Sequence, residues 1–522
     1  MKNYKSELIN KILGERGHEM STLHYESECI ETWINEEKGA YPKLTDYESE
    51  WMNYITQNPV GEFPYETITD VTDATVDNVV PYAYKSAILS GNTLVNLLQN
   101  NKIMYQATDN ISDAYLETSC IYFPSNKGYV FNFTIKANKD YYVNFKDTVN
   151  IANIRLYRAS GTYSNSDKIL ELTSSQKINV SEDCYLRVWS NGEGSVQELM
   201  MFEYQQGMEN WDIPFFEGIQ SVKMPVLTTT GKNLFDKTKA LKDYAIYSNG
   251  NVVSVKGAGT TDYIKIEKGK TYSRNVDGFV AFYDVDKKFI KRSGSSVNKF
   301  TAENDGYIRW NFADYDKVLN TMQIEESSIT STYEPYKSNI LTVNEDLELR
   351  GIGDEHDELD CLTGEVTERI REVVLDGSES WVIHTVKTNT IVYKLTVNNI
   401  KKIDHHIISD RFPTNASGDV EKITNTGTLI YVAILKSKAD NVEKFKSYLS
   451  QNPMTVQYQL ITESIKTVEL TVVNQDGEPL SKIKPIEGTM HISTDGTPLK
   501  PTVTMEIPVE AITQNLNSFI EE

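Results

Sequence analysis

The sequence predicts a mainly β fold, built of tandem β-sandwich modules with a helical N-terminal segment and a short C-terminal helix. From residue 71 onward, short runs of Tyr, Val, Ile, Thr and Phe alternate with clusters of Gly, Asn, Asp and Ser, a pattern typical of short strands joined by turns. A second observation is that one motif occurs twice along the chain. The third is that helical spacing of apolar residues is confined to the first 60 residues, a stretch near residue 440 and the C-terminus.

A chain of 522 residues has room for several domains, each with its own core. The predicted divisions are a helical N-terminal anchoring segment (1–60), a first β-sandwich repeat with its lead-in (61–218), a second β-sandwich repeat (219–337), a third β-rich module (338–475) and a C-terminal β/helix tail (476–522).

The helical segment begins with Leu8, Ile9, Ile12 and Leu13 on one face, and continues with apolar residues at helical spacing over residues 29–34 and 47–55. An apolar helical face of this kind either docks on a partner or covers the next domain. Both interpretations stay open from the residues.

The repeat is clearest in two segments. The sequence DCYLRVWSN at residues 183–191 resembles DGYIRWNF at residues 305–312, which places Tyr307 122 positions after Tyr185. Earlier in the copies, Leu156-Tyr157 matches Phe282-Tyr283 at 126 positions, and KDYY at 139–142 matches GKTY at 269–272 at 130 positions. The offset changes between matched strands, as loop insertions would cause. We therefore predict two copies of one β-sandwich of about 110 residues, a normal domain size.

Strand alternation assigns faces within the repeat. Leu186 and Val188 share an apolar face with their counterparts Ile308 and Trp310, so these side chains are predicted to lie in the core. The opposite face carries Tyr185, Arg187 and Trp189.

That second face is matched by Tyr307, Arg309 and Asn311. Aromatic rings stack on sugars, and arginine recognises phosphate. The candidate ligand-binding residues are Tyr185, Arg187, Trp189, Tyr157, Tyr283 and Arg309. The alternative is that these side chains pack against a neighbouring domain or subunit. Because Trp189 is replaced by Asn311 in the second copy, the two copies are expected to bind unequally.

The third module is predicted from apolar strands at residues 341–343, 381–383, 390–393, 429–435, 455–460 and 465–473, with a short helix at residues 441–449. Residues 508–522 show the spacing of a short amphipathic helix, with Ile512, Leu516 and Phe519 on one face. This helix either packs on its own domain or joins copies of the chain in an oligomer.

Composition argues against several classes of function. The net charge is −22, from 74 acidic and 52 basic residues, so binding to a phosphate backbone is not expected. The four cysteines are far apart and form no zinc-type pair. We interpret them as free thiols of a chain that folds in a reducing cytoplasm. A signal peptide and an apolar run long enough for membrane insertion are not expected either.

An enzyme is not expected, and no catalytic residue is nominated. The seven histidines form no HExxH motif, and GxSxG and Walker-type loops are missing from the sequence. The pair His405-His406 would point to opposite faces of a strand. No cofactor is predicted. The acidic residues 354–360 offer oxygen ligands that suit Ca²⁺, but they lack EF-hand spacing, and a solvated loop is the alternative.

Several phrases resemble a known group of proteins. They are GKNLFD at 231–236, STYEPY at 331–336, DELDCLTG at 357–364 and GTPLKP at 496–501. In this order they resemble minor structural, baseplate and receptor-binding tail proteins of phages that infect low-GC Gram-positive bacteria. The resemblance covers residues 210–522 and, more loosely, 70–210.

This resemblance implies jelly-roll, carbohydrate-binding-like sandwiches in a virion tail protein that is made in the host cytoplasm. It also implies a homo-oligomer, most often a trimer, whose partners are other tail proteins and a host cell-wall glycopolymer such as teichoic acid. Three functions follow as hypotheses: an adhesin that binds the host wall, an architectural connector that binds other virion proteins, and, ranked last, a cell-wall hydrolase.

Overall fold

The computed structural model describes residues 65–509, apart from 99–102, 106–114, 118, 124–127, 161–164, 206–212, 214, 286, 295, 345, 402–406 and 415–417. In this part of the chain the fold is mainly β, with several sheets and few helices, as the sequence predicts. The helical segment predicted for residues 1–60, the His405-His406 pair and most of the C-terminal helix lie outside the described residues.

Four passages of the chain build most of a pair of central sheets, and three units lie between these passages. The first passage comprises β1 (Tyr65–Val71), β2 (Asp73–Val79), β3 (Ser86–Ser90) and β4 (Thr93–Val95). Unit A, residues 96–205, comprises β5 (Ile103–Tyr105), β6 (Tyr115–Glu117), β7 (Cys120–Phe123), β8 (Gly128–Ile135), β9 (Asp140–Asn144), β10 (Thr148–Arg158), the 3-10 helix η1 (Asn165–Asp167), β11 (Lys168–Leu172), β12 (Gln176–Asn179), β13 (Cys184–Gln197) and β14 (Met200–Glu203).

The second passage is the single strand β15 (Ile219–Gly231). Unit B, residues 232–337, comprises the 3-10 helix η2 (Lys237–Lys239), β16 (Leu241–Ile246), β17 (Val252–Thr260), β18 (Ile264–Ile266), β19 (Thr271–Gly278), β20 (Val280–Tyr283), β21 (Phe289–Arg292), β22 (Val297–Thr301), β23 (Gly306–Phe312), α1 (Tyr315–Val318) and β24 (Ile324–Glu325).

The third passage comprises β25 (Ser338–Val343), β26 (Glu348–Leu349), β27 (Gly351–Ile352), β28 (Glu355–His356), β29 (Glu358–Asp360) and β30 (Glu365–Leu375). Unit C, residues 376–453, comprises β31 (Val382–Val386), β32 (Thr390–Thr396), β33 (Ile407–Ser409), β34 (Lys422–Thr426), β35 (Leu429–Leu435) and α2 (Val442–Gln451). Of these, β33 pairs with the strand that follows unit C and so extends a central sheet. The last passage comprises β36 (Met454–Thr467), β37 (Leu470–Asn474), β38 (Pro479–Leu480), β39 (Gly488–Pro498) and β40 (Thr502–Pro508).

The central sheets combine strands from distant parts of the sequence. One has the order β1-β40-β3-β29-β30-β36-β33 and the other contains β2-β39-β15-β25-β37-β38. Their apolar faces share one core, which includes Leu89, Leu227, Leu341, Met490 and Val503.

This pairing joins segments that the sequence analysis assigns to different domains, because β1 to β4 pair with strands after residue 218. Alternating side chains identify a strand but not its partner. The predicted domain boundaries therefore stay predictions.

Units A and B each contain two sheets around a core of their own. In unit A the sheets are β11-β10-β13-β7-β6, joined by β8 and β5, and β12-β9-β14. In unit B they are β16-β17-β23-β20-β21, joined by β18, and β22-β19-β24. Strand β10 corresponds to β20 and β13 to β23, since Tyr157 pairs with Tyr185 just as Tyr283 pairs with Tyr307.

One asparagine ties the start of each unit to its last strand. In unit A, the Oδ1 of Asn96 accepts from the N–H groups of Leu98 at 3.2 Å and Met201 at 3.4 Å. In unit B, the Oδ1 of Asn233 accepts from Phe235 at 3.0 Å and Ile324 at 3.2 Å. These bonds make Met201 the counterpart of Ile324, which lies 123 positions later, one more than the 122 positions that separate Tyr307 from Tyr185.

A tyrosine hydroxyl closes a five-residue loop in each unit. The N–H of Lys136 donates to Tyr141 at 3.2 Å, and the N–H of Glu267 donates to Tyr272 at 2.9 Å. Tyr141, and not Tyr142, is therefore the counterpart of Tyr272, which shifts the sequence match by one residue at this strand.

Unit C packs α2 against a small sheet with the order β31-β32-β35-β34. The helix begins at the N-cap Asn441, whose side chain accepts from the N–H of Lys444 at 2.9 Å. Phe445 is fully buried and stacks on Tyr393 at 4.1 Å between ring centroids, with Trp381 at 5.1 Å. This agrees with the helix predicted for residues 441–449.

Within the described residues, no helix is long and apolar enough to cross a membrane. Cys120, Cys184 and Cys361 are free thiols, and Cys29 lies outside the described residues. Burial raises the pKa of Cys184 to about 12, so this thiol is protonated at neutral pH and is a poor nucleophile.

Asp357 is a fully buried carboxyl group that lies between β28 and β29 and ties this segment to β30. It accepts from the backbone N–H groups of Arg350 at 3.1 Å, Arg369 at 2.7 Å and Ile370 at 2.9 Å. Burial outweighs these bonds and raises the pKa of Asp357 from 3.8 to about 6.

A carboxyl whose pKa is higher in the folded state binds its proton more tightly there, so its contribution to stability grows as the pH falls through 6 toward 4. We expect the wild type to gain roughly 1 kcal/mol from Asp357 between pH 7.5 and pH 5, and Asp357→Asn to lack this gain. Urea unfolding at several pH values measures it.

The matched control for this pH effect is Asp419→Asn. Hydrogen bonds from Thr390 and Asn389 hold the pKa of Asp419 below its ordinary value, so this carboxylate stays ionised from pH 5 to 7.5 and its removal should leave the slope unchanged. Equal slopes for the wild type and Asp357→Asn would show that the buried carboxyl does not titrate in this range.

Candidate ligand-binding site

The six candidate residues of the sequence lie at corresponding positions of units A and B, but most of them are buried. Tyr157, Tyr283, Arg187 and Arg309 are 2%, 5%, 7% and 6% exposed. Tyr185 and Trp189 are half-buried. The open amphipathic face expected from strand alternation is therefore largely covered, because alternation shows which side chains share a face and not what lies over that face.

In unit A, the buried Arg187 lies between two aromatic rings. Its guanidinium carbon is 5.3 Å from the centroid of Tyr157 and 4.7 Å from that of Trp189. Both distances are within the range of cation–π attraction. One face of Trp189 is therefore occupied by Arg187, and the structure gives this tryptophan a packing contact as well as partial exposure.

In unit B, Arg309 holds the segment of residues 261–265 against the sheet. Its Nε donates to the carbonyl of Thr261 at 2.9 Å, and its guanidinium carbon is 5.1 Å from the ring of Tyr263. Tyr263 in turn packs edge-on against Tyr283 at 4.9 Å and Tyr307 at 6.1 Å. Arg309 therefore positions the tyrosine cluster instead of facing solvent.

Two residues that the sequence analysis missed, Tyr263 and Lys287, belong to this cluster, and Lys287 forms its exposed part. Lys287 is exposed, and its Nζ lies 5.3 Å from the ring centroid of Tyr263 and 5.0 Å from that of Tyr307. Within the described part of unit B, this ammonium forms no ion pair with a carboxylate. The ammonium N–H groups of a lysine held over two aromatic faces stay available as hydrogen-bond donors to an anionic ligand.

The hairpin between β20 and β21 fixes the position of Lys287. Its N–H donates to the carbonyl of Asp284 at 3.0 Å, and its φ is 60°, in the left-handed region. The Oδ1 of Asp284 accepts from the N–H of Lys288 at 2.8 Å, which closes the turn. The sequence signal for this turn is DVDKK at residues 284–288.

A second turn lies beside this hairpin. Gly250 has a φ of 85°, and a Cβ there would come within 2.5 Å of the Phe289 ring. The preceding Tyr247 is 49% exposed. We define the aromatic end of unit B as Tyr247, Tyr263, Tyr307, Lys287 and Lys288.

A cleft lies between unit B and the central sheets. Its volume is about 340 Å³, at the small end of ligand pockets. One wall is the 261–265 segment of unit B, and the other includes Thr75 of β2 and His491 of β39. The salt bridge between Lys265 and Asp73, at 2.8 Å, joins the two walls. Tyr263 borders both this cleft and the aromatic end of unit B.

The acidic residues 354–360 are used within the fold. The carboxyl group of Asp357 accepts from three backbone N–H groups, and Glu355 pairs with Lys401 at 2.8 Å. Glu358 pairs with Arg369 at 2.8 Å. The described residues contain no cluster of three or more His, Cys, Asp or Glu side chains suited to a metal ion.

Comparisons with known proteins give no family. No protein-family model matches the chain, and no curated protein matches it. Among solved structures, the arabinofuranosyltransferase AftD from Mycobacteria is 7% identical with a TM-score of 0.14, and 83% of this chain is matched to 36% of that one. A GH2 β-galacturonidase from Eisenbergiella tayi is 10% identical with a TM-score of 0.12, and 60% of this chain is matched to 45% of that one. The chain thus spans about a third to a half of these proteins, and scores this low carry no argument about fold or function.

Proposed function

We propose that this protein is a structural component and host adhesin of a bacteriophage tail, and that it binds an anionic glycopolymer of a Gram-positive cell wall through unit B. In this proposal units A and B are tandem carbohydrate-binding-like sandwiches, and the chain works as a homo-oligomer, with a trimer favoured. The sequence phrases at residues 231–236, 331–336, 357–364 and 496–501 support the virion part of the proposal.

The observation that carries the adhesin reading is Lys287 over Tyr263 and Tyr307. In a chain of net charge −22, most surface potential repels anions. Lys287 is distinguished by its position over two tyrosine rings, together with the lack of an ion pair to any carboxylate in the described part of unit B. Phosphate recognition needs such a cation, and sugar recognition needs exposed ring faces and edges. The aromatic end of unit B offers both within a few ångströms.

Units A and B are proposed to bind unequally. Its Trp189 corresponds to Asn311 of unit B, whose side chain pairs with both backbone groups of Ile246 at 2.8 and 3.0 Å. Asn311 is therefore a structural residue, whereas Trp189 keeps part of its surface exposed. The two units differ at the position where the sequence analysis expects unequal binding.

An architectural connector is the second candidate, and strand β31 favours it. All of its residues are exposed, including Val382 at 48%, Ile383 at 42% and Val386 at 58%. It lies at the edge of its sheet, and an exposed apolar edge strand pairs readily with another chain. A connector would bury this edge in the assembled particle and would bind no purified cell wall.

The test of the adhesin proposal is sedimentation of the full chain with purified Gram-positive cell walls, with and without their teichoic acid. Lys287→Ala is expected to weaken binding about tenfold to a hundredfold, because one charge-assisted contact contributes roughly 1.5–3 kcal/mol. Salt should weaken wild-type binding in the same direction.

Lys291→Ala is the matched control, because Lys291 lies on the adjoining strand and already pairs with Glu303 at 2.7 Å. Its binding should stay within about twofold of the wild type. Equal retention of the wild type on walls stripped of teichoic acid would reject an anionic glycopolymer as the ligand. No retention on any wall would favour the connector.

A further inference from the structure

The cleft between unit B and the central sheets differs in charge from the aromatic end beside it, because its lysines are paired with carboxylates. Lys265 is paired with Asp73 at 2.8 Å, and Lys239 lies 3.5 Å from Asp236, so the lysines of the lining are neutralised. The exposed carboxylate of Asp262 has no hydrogen bond or ion pair within the described part of the chain. Burial lowers the pKa of His491 below 6.5, so its ring is uncharged at neutral pH.

These groups disfavour an anion and suit hydroxyl groups. Sugar hydroxyls donate to carboxylates such as Asp262, and they exchange hydrogen bonds with Thr75, whose Oγ1 lies 3.0 Å from the Nδ1 of His491. The Tyr263 ring supplies an apolar surface for a sugar ring. A volume of about 340 Å³ accommodates one hexose-sized ring with some water.

We propose that this cleft binds one uncharged, hexose-sized sugar residue. The inference rests on the proposed function, which it deepens by naming a sugar subsite next to the aromatic end. A polymer that places a phosphate at Lys287 then places a neighbouring sugar across Tyr263, because this side chain borders both places. The site is formed only when unit B lies against β2 and β39.

The test uses the full chain and saturation-transfer NMR with three small ligands. They are methyl α-D-glucopyranoside, methyl N-acetyl-β-D-glucosaminide and glucose 6-phosphate. We expect transfer to at least one of the two uncharged sugars, and at least fivefold weaker transfer to glucose 6-phosphate. No transfer to either uncharged sugar, or equal transfer to the phosphorylated one, would overturn the proposal.

Asp262→Trp fills the cleft from an exposed position and should abolish the transfer. Asp316→Trp is its control, since Asp316 is an exposed carboxylate on α1 of the same unit that pairs with Lys242 and does not line the cleft. Unchanged transfer in Asp262→Trp would reject the cleft as the binding place. If circular dichroism shows that this variant is misfolded, Asp262→Lys tests the same wall.

Failure of this inference is distinguishable from failure of the adhesin proposal. Lys287→Ala should reduce sedimentation with cell walls and leave the monosaccharide signals in place, because Lys287 does not line the cleft. Loss of wall binding with the sugar signals intact supports both proposals. Wall binding that depends on Lys287, together with absent sugar signals, supports the first and overturns the second.

Discussion

Trp310→Ala is expected to lower the free energy of unfolding of unit B by about 3–5 kcal/mol, the usual cost of removing a large buried aromatic side chain. Trp310 is fully buried in the core of unit B, and its Nε1 donates to the carbonyl of Gly278 at 3.1 Å. Its ring also faces the guanidinium of Arg274 at 4.3 Å. Removal of the indole leaves a cavity and takes away the aromatic face that lies over a buried cation.

The role of Arg274 makes this loss larger than packing alone. Arg274 is 2% exposed, and burial lowers its pKa to about 9. Its Nη1 donates to the carbonyl of Asn311 at 3.1 Å. A Cβ at Gly278 would lie 1.9 Å from its Nη2, so the glycine makes room for the guanidinium. A buried charge of this kind is stabilised by few neighbouring groups, so the loss of any one of them is costly.

Urea unfolding of the full chain, with hydrogen exchange measured in β23, detects the change and assigns it to unit B. The control is Trp189→Ala, the same substitution at a half-buried tryptophan of unit A. It should cost no more than about half as much. An equal cost for the two variants would show that the buried stack of Trp310 adds nothing to ordinary packing.

Asn233→Leu should destabilise unit B by about 3 kcal/mol or more, because it leaves buried backbone groups without partners. Asn233 is 2% exposed, and its Nδ2 donates to the carbonyls of Met322 at 3.2 Å and Glu334 at 2.8 Å. Its Oδ1 accepts from Phe235 and Ile324. One side chain thus joins the first segment of the unit to its last strand, and leucine has the same branching at Cγ without any of these bonds.

Thermal unfolding followed by circular dichroism measures this effect, with Asn320→Leu as the control. Asn320 is exposed, and its side chain accepts from the Nζ of Lys237 at 2.9 Å. Its replacement should change stability by less than about 0.5 kcal/mol. A similar small change for Asn233→Leu would mean that water replaces the lost bonds, and that the unit is held closed by its apolar core alone.

The strands of units A and B were predictable because their information is local. Alternation placed Leu186, Val188, Ile308 and Trp310 in the core, and the structure buries all four. The offsets of 122 and 126 positions also agree with the strand pairs of Tyr185 and Tyr307. Where a turn rather than a strand decides the match, as at Tyr141 and Tyr272, the prediction was one residue off.

The candidate site was harder to predict because its parts come from loops. Arg187 and Arg309 were identified by residue type, but their burial depends on rings contributed by other strands. Tyr263 precedes the short strand β18, and Lys287 lies at a left-handed turn position. The alternation of side chains along a strand therefore identifies neither residue. The recurrence of Asn-Leu at Asn96 and Asn233 was a usable signal for the unit boundaries.

The pairing of β1 with β40 also delays the folding of the nascent chain, because β1 has no partner until β40 has been synthesised. Tyr65 pairs with Pro508, and at synthesis rates of 5–20 residues per second the interval between the synthesis of these two residues is roughly 20 to 90 seconds. During that time units A, B and C have their own local partners, whereas β1, β2 and β3 have unpaired edges. Contacts this distant in sequence form slowly and leave strands open to association with other chains. Completion of the central sheets is therefore the step at which crowding by other macromolecules, and any chaperone present, has the most influence on the yield of folded protein.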